Sequence, residues 1–268
     1  MSAYSLDVTK IDAKRTTRMS MNYARPPITE AVIEFQFAGI CGESDRSKVA
    51  RKLKKRYPID EILQEITLEG GPSGANHHVE TVGVKLSSDD RTEIVTLSAP
   101  RSSPVGFPIA MEKYGAFSAS QLAPYCGWAS FSSRFAEDWA IVEKIIGWRK
   151  LKRVGVRFIN RIDIPGEISD LRRWVSVEPA LPAQFPPPSS FNMRTVIPVD
   201  SAQANLLVGT ASSPLPRHSA ILLDIDIYTV SGIGDNIDER IKMLEYFHDK
   251  KNWIFESCIT DDTRRLFK

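Results

Sequence analysis

The amino-acid sequence predicts an α+β fold: curved antiparallel sheet or sheets with two long amphipathic helices packed on one side. Three observations point there. Apolar residues alternate through several short segments bounded by Gly, Pro and Asp, as they do in half-buried strands. Two longer segments, near 128–147 and 236–256, repeat their apolar residues every three or four positions, the period of a helix laid on a core. The strands come in runs, each run followed by one of these helices, which is the order of an α+β chain.

Taken in order, residues 1–20 lack a sustained period and read as a flexible N-terminal arm. Ala31–Phe37, with Val32, Ile33, Phe35 and Phe37, reads as the first strand, entered stiffly through Pro26-Pro27. A helix is expected over 44–57 with Ser44 as its cap, then strands over 62–69, 79–87 and 91–99 and near 114–119. Trp128, Phe131, Phe135, Trp139, Val142 and Ile145 line one helix face that should end at Gly147. Arg153–Asp163 alternates as a long strand closed by Pro165-Gly166. Seven of the thirteen residues from 178 to 190 are Pro or Ser, marking a crossover loop. Strands are then expected over 191–199, 203–211 and 219–230, followed by a helix over 236–256. That helix has Asn236 and Glu239 as a capping pair and an apolar stripe of Ile237, Ile241, Leu244, Phe247 and Ile254; a short last helix starts at Thr260. Residues 21–268 thus form one compact unit with two similar halves, about 21–177 and 191–268.

Composition narrows the function classes. With 42% hydrophobic and 25% charged residues the chain is a folded globular protein, and no stretch approaches the roughly 18 apolar residues of a membrane span. A cytoplasmic location without a membrane partner is expected. Cys41, Cys126 and Cys258 are odd in number and widely spaced, which reads as reduced core thiols. His77-His78 cannot easily share one metal if they lie on a strand, and a surface loop is the better reading; His218 and His248 have no ligand-spaced companion. No metal or cofactor is expected. Phosphate-cradling loops and the G-x-S-x-G nucleophile turn are absent, Gly70-Gly71-Pro72-Ser73-Gly74 reads as a turn, and Cys126 lacks a local base.

Charge is uneven. Residues 1–60 carry twelve Lys/Arg against seven Asp/Glu, a net +5 that leaves −3 for the remainder of a chain of net +2. Seven of these cations fall within 46–56, around a narrow apolar stripe of Val49, Ala50, Leu53 and Tyr57. Such a helix is either a solvated face or a grip for nucleic acid or an acidic protein, with Lys48, Arg51, Lys52 and Lys55 as the candidate contacts.

A second set lies on two strands. Arg153, Arg157 and Arg161 share one face with Asp163, and Asp224 and Asp226 share a face of the later strand. If these strands are close, the set is either an anion-binding concavity or, more economically, a row of cross-strand ion pairs. The expected function is therefore a non-enzymatic macromolecule-binding protein. The alternative is a nucleotide- or polyphosphate-binding protein, or a phosphohydrolase, using the Arg/Asp face.

Tyr23-Ala-Arg-Pro-Pro-Ile-Thr-Glu-Ala-Val-Ile-Glu-Phe-Gln-Phe37 resembles the opening of a sporadically distributed family of uncharacterised bacterial and archaeal proteins. Pro124-Tyr-x-Gly-Trp128, Arg153–Ile162, Leu223–Tyr228, Phe247-His-x-x-x-Asn252 and the ending Ile254-Phe-Glu-Ser-Cys-Ile-Thr-Asp261 extend the resemblance over roughly residues 22–268. It implies no activity. The patchy distribution implies an accessory role in defence, toxin control or conflict between replicons. This chain departs from the family pattern in its N-terminal arm and in the strongly basic character of the helix at 44–57.

Overall fold

The computed structural model describes residues 23–71, 74–99, 114–182, 184–186 and 188–268, the side chains of 66–79 excepted. The N-terminal arm of residues 1–20 lies outside them. Among the described residues nine strands form one open antiparallel sheet: β1 (Ile28–Ala38), β2 (Ile59–Gly71), β3 (Gly74–Ser87), β4 (Glu93–Ser98), β5 (Tyr114–Leu122), β6 (Leu151–Pro165), β7 (Asn192–Val199), β8 (Ala202–Ser212) and β9 (His218–Thr229). Their spatial order is β2-β3-β4-β5-β1-β6-β9-β8-β7. The helices are α1 (Glu43–Leu53), α2 (Trp128–Ile146), α3 (Ile237–Cys258) and the short α4 (Asp261–Leu266).

Strand pairing puts β1 beside β6, Phe35 opposite Val154 and Ile33 opposite Val156. Directly opposed residues of antiparallel strands share a face, so Ile33, Phe35, Phe37, Val154, Val156 and Phe158, each at most 1% exposed, line one continuous apolar surface. Helix α2 lies on the β1/β5 part. Its Trp139 ring meets Phe35 edge-on at 5.1 Å and Phe117 at 5.9 Å, while Phe135 meets Phe35 at 4.8 Å. Edge-to-face aromatic pairs add about 0.5–1.5 kcal/mol each beyond the area they bury. Helix α3 lies on β6 and β9 through buried Leu244, Phe247 and Ile254. Gly147, at φ +75°, takes the chain out of α2 in a conformation other residues resist. Asn236 caps α3 by accepting the Glu239 amide at 2.9 Å, and Thr260 caps α4.

Several details differ from the sequence reading. The first helix begins at Glu43, one residue early, with Gly42 at its cap position and no side-chain cap bond, so Ser44 caps nothing. It stops at Leu53, and residues 54–56 form a turn. His77 and His78 lie in β3, opposite Leu68 and Thr67 of β2, in a hairpin longer than the alternation suggested. Cys41 and Cys258 are buried, and burial raises each thiol to about 11, but Cys126 is exposed. The segment Pro124-Tyr-Cys-Gly forms the entry to α2, so its thiol is left at the surface. No helix among the described residues is long and apolar enough to cross a membrane.

The segment leading into β1 meets the last two helices. Tyr23 donates its hydroxyl to Glu256 of α3 at 2.7 Å and packs edge-on against Phe267, and Arg264 donates to the other Glu256 oxygen at 2.9 Å. One edge strand, β7, contains Pro198, and the other, β2, carries Asp60, Glu61 and Glu65.

Lys251 of α3 is 5% exposed, lies 3.8 Å above the Phe158 ring and donates to Asn252 at 2.6 Å. Burial lowers its ammonium to about 7, against the opposing pull of Glu256 and Asp249. The unfolded chain holds this proton up to about 10.5, so between pH 7 and 10.5 unfolding takes up a proton and stability rises with pH. Below pH 7 the full cost of the buried charge is present. Lys251→Met, which keeps the packing and removes the amine, should be more stable than the parent at neutral pH. The gap should shrink by up to about 1.4 kcal/mol per pH unit toward pH 10. Urea unfolding at several pH values checks this, and parallel pH profiles would contradict it.

Candidate functional site

Because the helices cover one face of the sheet, the alternate residues of every strand line the other. On the central strands this open face carries Glu34, Arg153, Arg157, Asp224 and Asp226, so the structure brings together most of the second candidate set. Arg153 is 7% exposed. Its Nη2 donates to both oxygens of Asp226 at 2.8 and 2.9 Å, its Nη1 donates to Glu34 at 2.8 Å, and its guanidinium lies 4.5 Å from the Tyr228 ring centroid. Arg157 holds Asp224 through Nε at 2.9 Å and Nη2 at 2.6 Å, and this bond raises the guanidinium pKa against the effect of burial. Arg161 turns to Asp163 on its own strand, at 3.0 Å, away from Asp224 and Asp226.

Each guanidinium of this face is thus already occupied by a carboxylate. A phosphate would have to displace Asp224 or Asp226 from a two-pronged charge-assisted contact, among the strongest hydrogen-bonded pairs a protein forms. Chemically, the cluster binds strands β1, β6 and β9 to one another. Asn205 of β8 extends it, donating to Asp226 at 3.1 Å.

The basic candidates lie elsewhere, on α1. Burying Val49, Leu53 and Tyr57 turns the opposite side of the helix and its ending turn to solvent, where Lys48, Arg51, Lys52, Lys54 and Lys55 are all exposed. Lys48 has one contact, 3.7 Å from Asp45; for Arg51, Lys52, Lys54 and Lys55 no carboxylate lies within ion-pair distance among the described residues. Beside this ridge an open depression of about 220 Å³ is lined by Ala50, Arg51, Lys54, Tyr57, Asp60 and Leu86.

The ridge is held by a buried polar anchor that sequence reasoning missed. Arg56 donates to Asp138 at 2.7 Å and to Glu137 at 2.7 Å, and Tyr57 donates to the other Asp138 oxygen at 2.5 Å. Arg134 donates to the Tyr57 oxygen at 2.8 Å and to the Ser120 carbonyl at 3.0 Å, so α1, α2 and β5 are tied together. Asp138 is fully buried. Desolvation raises its carboxyl pKa, against the downward pull of the Tyr57 hydroxyl and the Arg56 charge. A signal existed: Asp138 falls on the α2 stripe three residues after Phe135 and four before Val142, and Lys251 falls likewise between Phe247 and Ile254. A charged residue on an apolar stripe marks a buried polar contact.

His248 stacks on Trp128 at 4.4 Å and 9°, and burial lowers its imidazole to about 3, keeping it a neutral packing group at physiological pH. Among the described residues no group of three or more His, Cys, Asp or Glu is placed to hold a metal ion.

The fold and these surfaces define an α+β protein built on an open nine-stranded antiparallel sheet. No family model, curated protein or solved structure matches the chain.

Gly155 sets the position of Arg153. A Cβ at residue 155 would lie 2.9 Å from Arg153 Nη1 and 3.0 Å from the Tyr228 Cβ, and Arg153 is pinned by two carboxylates. Gly155→Ala should cost about 1–3 kcal/mol by overpacking. The cost should fall in an Arg153→Met background, where one obstruction is gone. A double-mutant cycle measured by urea unfolding checks the coupling, and additive costs would refute it.

Proposed function

We propose that this protein is a non-enzymatic binding module that engages a negatively charged macromolecule through α1, with Lys48, Arg51, Lys52 and Lys55 as its main contacts. One observation carries this reading: among the described residues, four exposed cations without ion-pair partners, Arg51, Lys52, Lys54 and Lys55, fall within five positions at the end of α1 and in its closing turn, whereas the arginines of the sheet face and of the α2–α3 joint are tied to carboxylates. Of the seven cations within 46–56, Arg56 is matched by Glu137 and Asp138 and Lys48 lies near Asp45; the others repel one another, and an anionic partner relieves that repulsion. The strongly perturbed groups Tyr57, Asp138, His248 and Lys251 are committed to packing, with the depression beside α1 flanked by cations instead.

The sheet order supports a further part of the reading, an origin in two similar halves, with the boundary moved from the 178–190 loop to the stretch between α2 and β6, so that β6 opens the second half instead of closing the first. In one, β1 is followed by a meander whose last strand, β5, returns to pair with β1 before α2; in the other, β6 is followed by β7 and β8 until β9 returns to pair with β6 before α3. β1 and β6 are antiparallel neighbours, as a two-fold relation between halves requires. The two long amphipathic helices would then be equivalent. The resemblance to the sporadically distributed family, and the accessory role it implies, belongs to the same reading; its opening Tyr23 and closing Glu256 bond each other.

Replacing Lys48, Arg51, Lys52 and Lys55 together by Gln removes charge while keeping good helix formers, so folding stability should change by no more than about 0.5 kcal/mol. On immobilised heparin, used as a polyanion probe, the parent should be retained and the variant should elute at distinctly lower salt. Identical elution of two equally folded proteins would overturn the assignment.

A further inference from the structure

The α1 ridge has a property that separates one kind of anionic partner from another: it has no apolar centre. From Glu43 to Tyr57 the larger apolar side chains Val49, Leu53 and Tyr57 are buried at 1–3% exposure. The exposed large apolar residues nearest in the chain, Ile40 and Ile62, lie outside the helix. Protein partners bind chiefly through a desolvated cluster of aromatic and apolar anchors inside a polar rim. A surface of cations alone suits a ligand whose affinity comes from counterion release along a phosphate backbone.

The spacing fits as well. Lys48, Arg51, Lys52 and Lys55 follow at steps of three, one and three, so they share one flank of the helix and the turn that ends it. At 1.5 Å per residue they span about 10 Å. Duplex nucleic acid presents a charge every 1.7 Å or so of axis, hence about six phosphates over that length. Asp60 makes the neighbouring depression electrostatically mixed, which places the contact on the crest, with Arg51 and Lys54 at its rim. Asp45 is turned to Lys48, and Glu43 lies at the far end, one turn before the cations begin.

Resting on the function proposed above, we propose that the anionic partner of α1 is the phosphodiester backbone of nucleic acid, bound without regard to base sequence. The ridge grips; it does not read.

The test titrates the full chain with two mixed-sequence 20-base-pair DNA duplexes of unrelated sequence, the corresponding single strands, polyglutamate and heparin, over a range of salt. The expected result is nucleic-acid binding of similar strength for both sequences. Its log–log salt slope should be near −4 for duplex and −3 for single strands, for four or so phosphate contacts, with affinity for duplex falling about a hundredfold between 50 and 200 mM salt. The quadruple Gln variant should lose most of the slope. Binding to heparin or polyglutamate with none to nucleic acid would overturn this inference and leave the anionic-partner reading standing. A strong preference between the two duplexes would overturn the sequence-independent claim. Binding to none of the probes, or nucleic-acid binding unchanged in the Gln variant, would overturn both.

Discussion

The antiparallel pairing of β1 with β6 is the constraint on which the rest of this molecule depends. It joins two strand meanders that would otherwise each end in an open edge, and it aligns Phe35 with Val154 so that both meanders present apolar residues to the same side. A one-residue slip would send every buried side chain of one meander to the open face. Helices α2 and α3 could then not share a common floor. The open face is correspondingly polar, and its Glu34–Arg153–Asp226 and Arg157–Asp224 pairs cross the same seam. Both sides of the sheet thus favour one register.

Burial also divides the charged residues into two populations. Arg134, Arg153 and Arg240 are tied to acceptors on other elements: Arg240, 1% exposed, donates to Glu143 of α2 at 3.0 Å and to the Gly234 carbonyl at 3.0 Å. Losing either partner of such a contact would leave a buried charge unmatched, which is why these pairs constrain the fold more than exposed pairs do. Arg51 and Lys52 of α1, and Lys54 and Lys55 just after it, are free of that obligation. Arg56 fixes the end of α1 to α2, so the ridge is attached firmly at the place where its charges are densest.

Much of this was legible in the sequence, and the reasons are local. Alternation over Arg153–Asp163 and the three-four spacing over Trp128–Ile145 report directly which residues face the core, because the periods of strand and helix are geometric. Pairing partners are not local, so the sequence left open whether Arg157 would meet Asp224. That depended on β9 returning beside β6 with β7 and β8 outside it. Ser44 misled because any Ser ahead of an apolar stripe looks like a cap, whereas the chain enters α1 through Gly42. Cys126 misled because a small thiol near aromatics is usually buried; a sharp entry into α2 turned it outward. Asp138 and Lys251 escaped notice because single charges on helices are usually solvated, even though each stood on its helix's apolar stripe.

The two ends of the sheet are unlike, and this bears on how the molecule behaves when crowded. An open sheet could in principle grow by head-to-tail addition, the β2 edge of one copy zipping onto the β7 edge of the next. Proline has no amide hydrogen to offer, so Pro198 removes a donor from any incoming ladder on β7. Asp60, Glu61 and Glu65 put charged side chains along β2, which disfavour pairing at that edge. Head-to-tail polymerisation is therefore obstructed by a missing hydrogen bond on β7 and by charged side chains along β2.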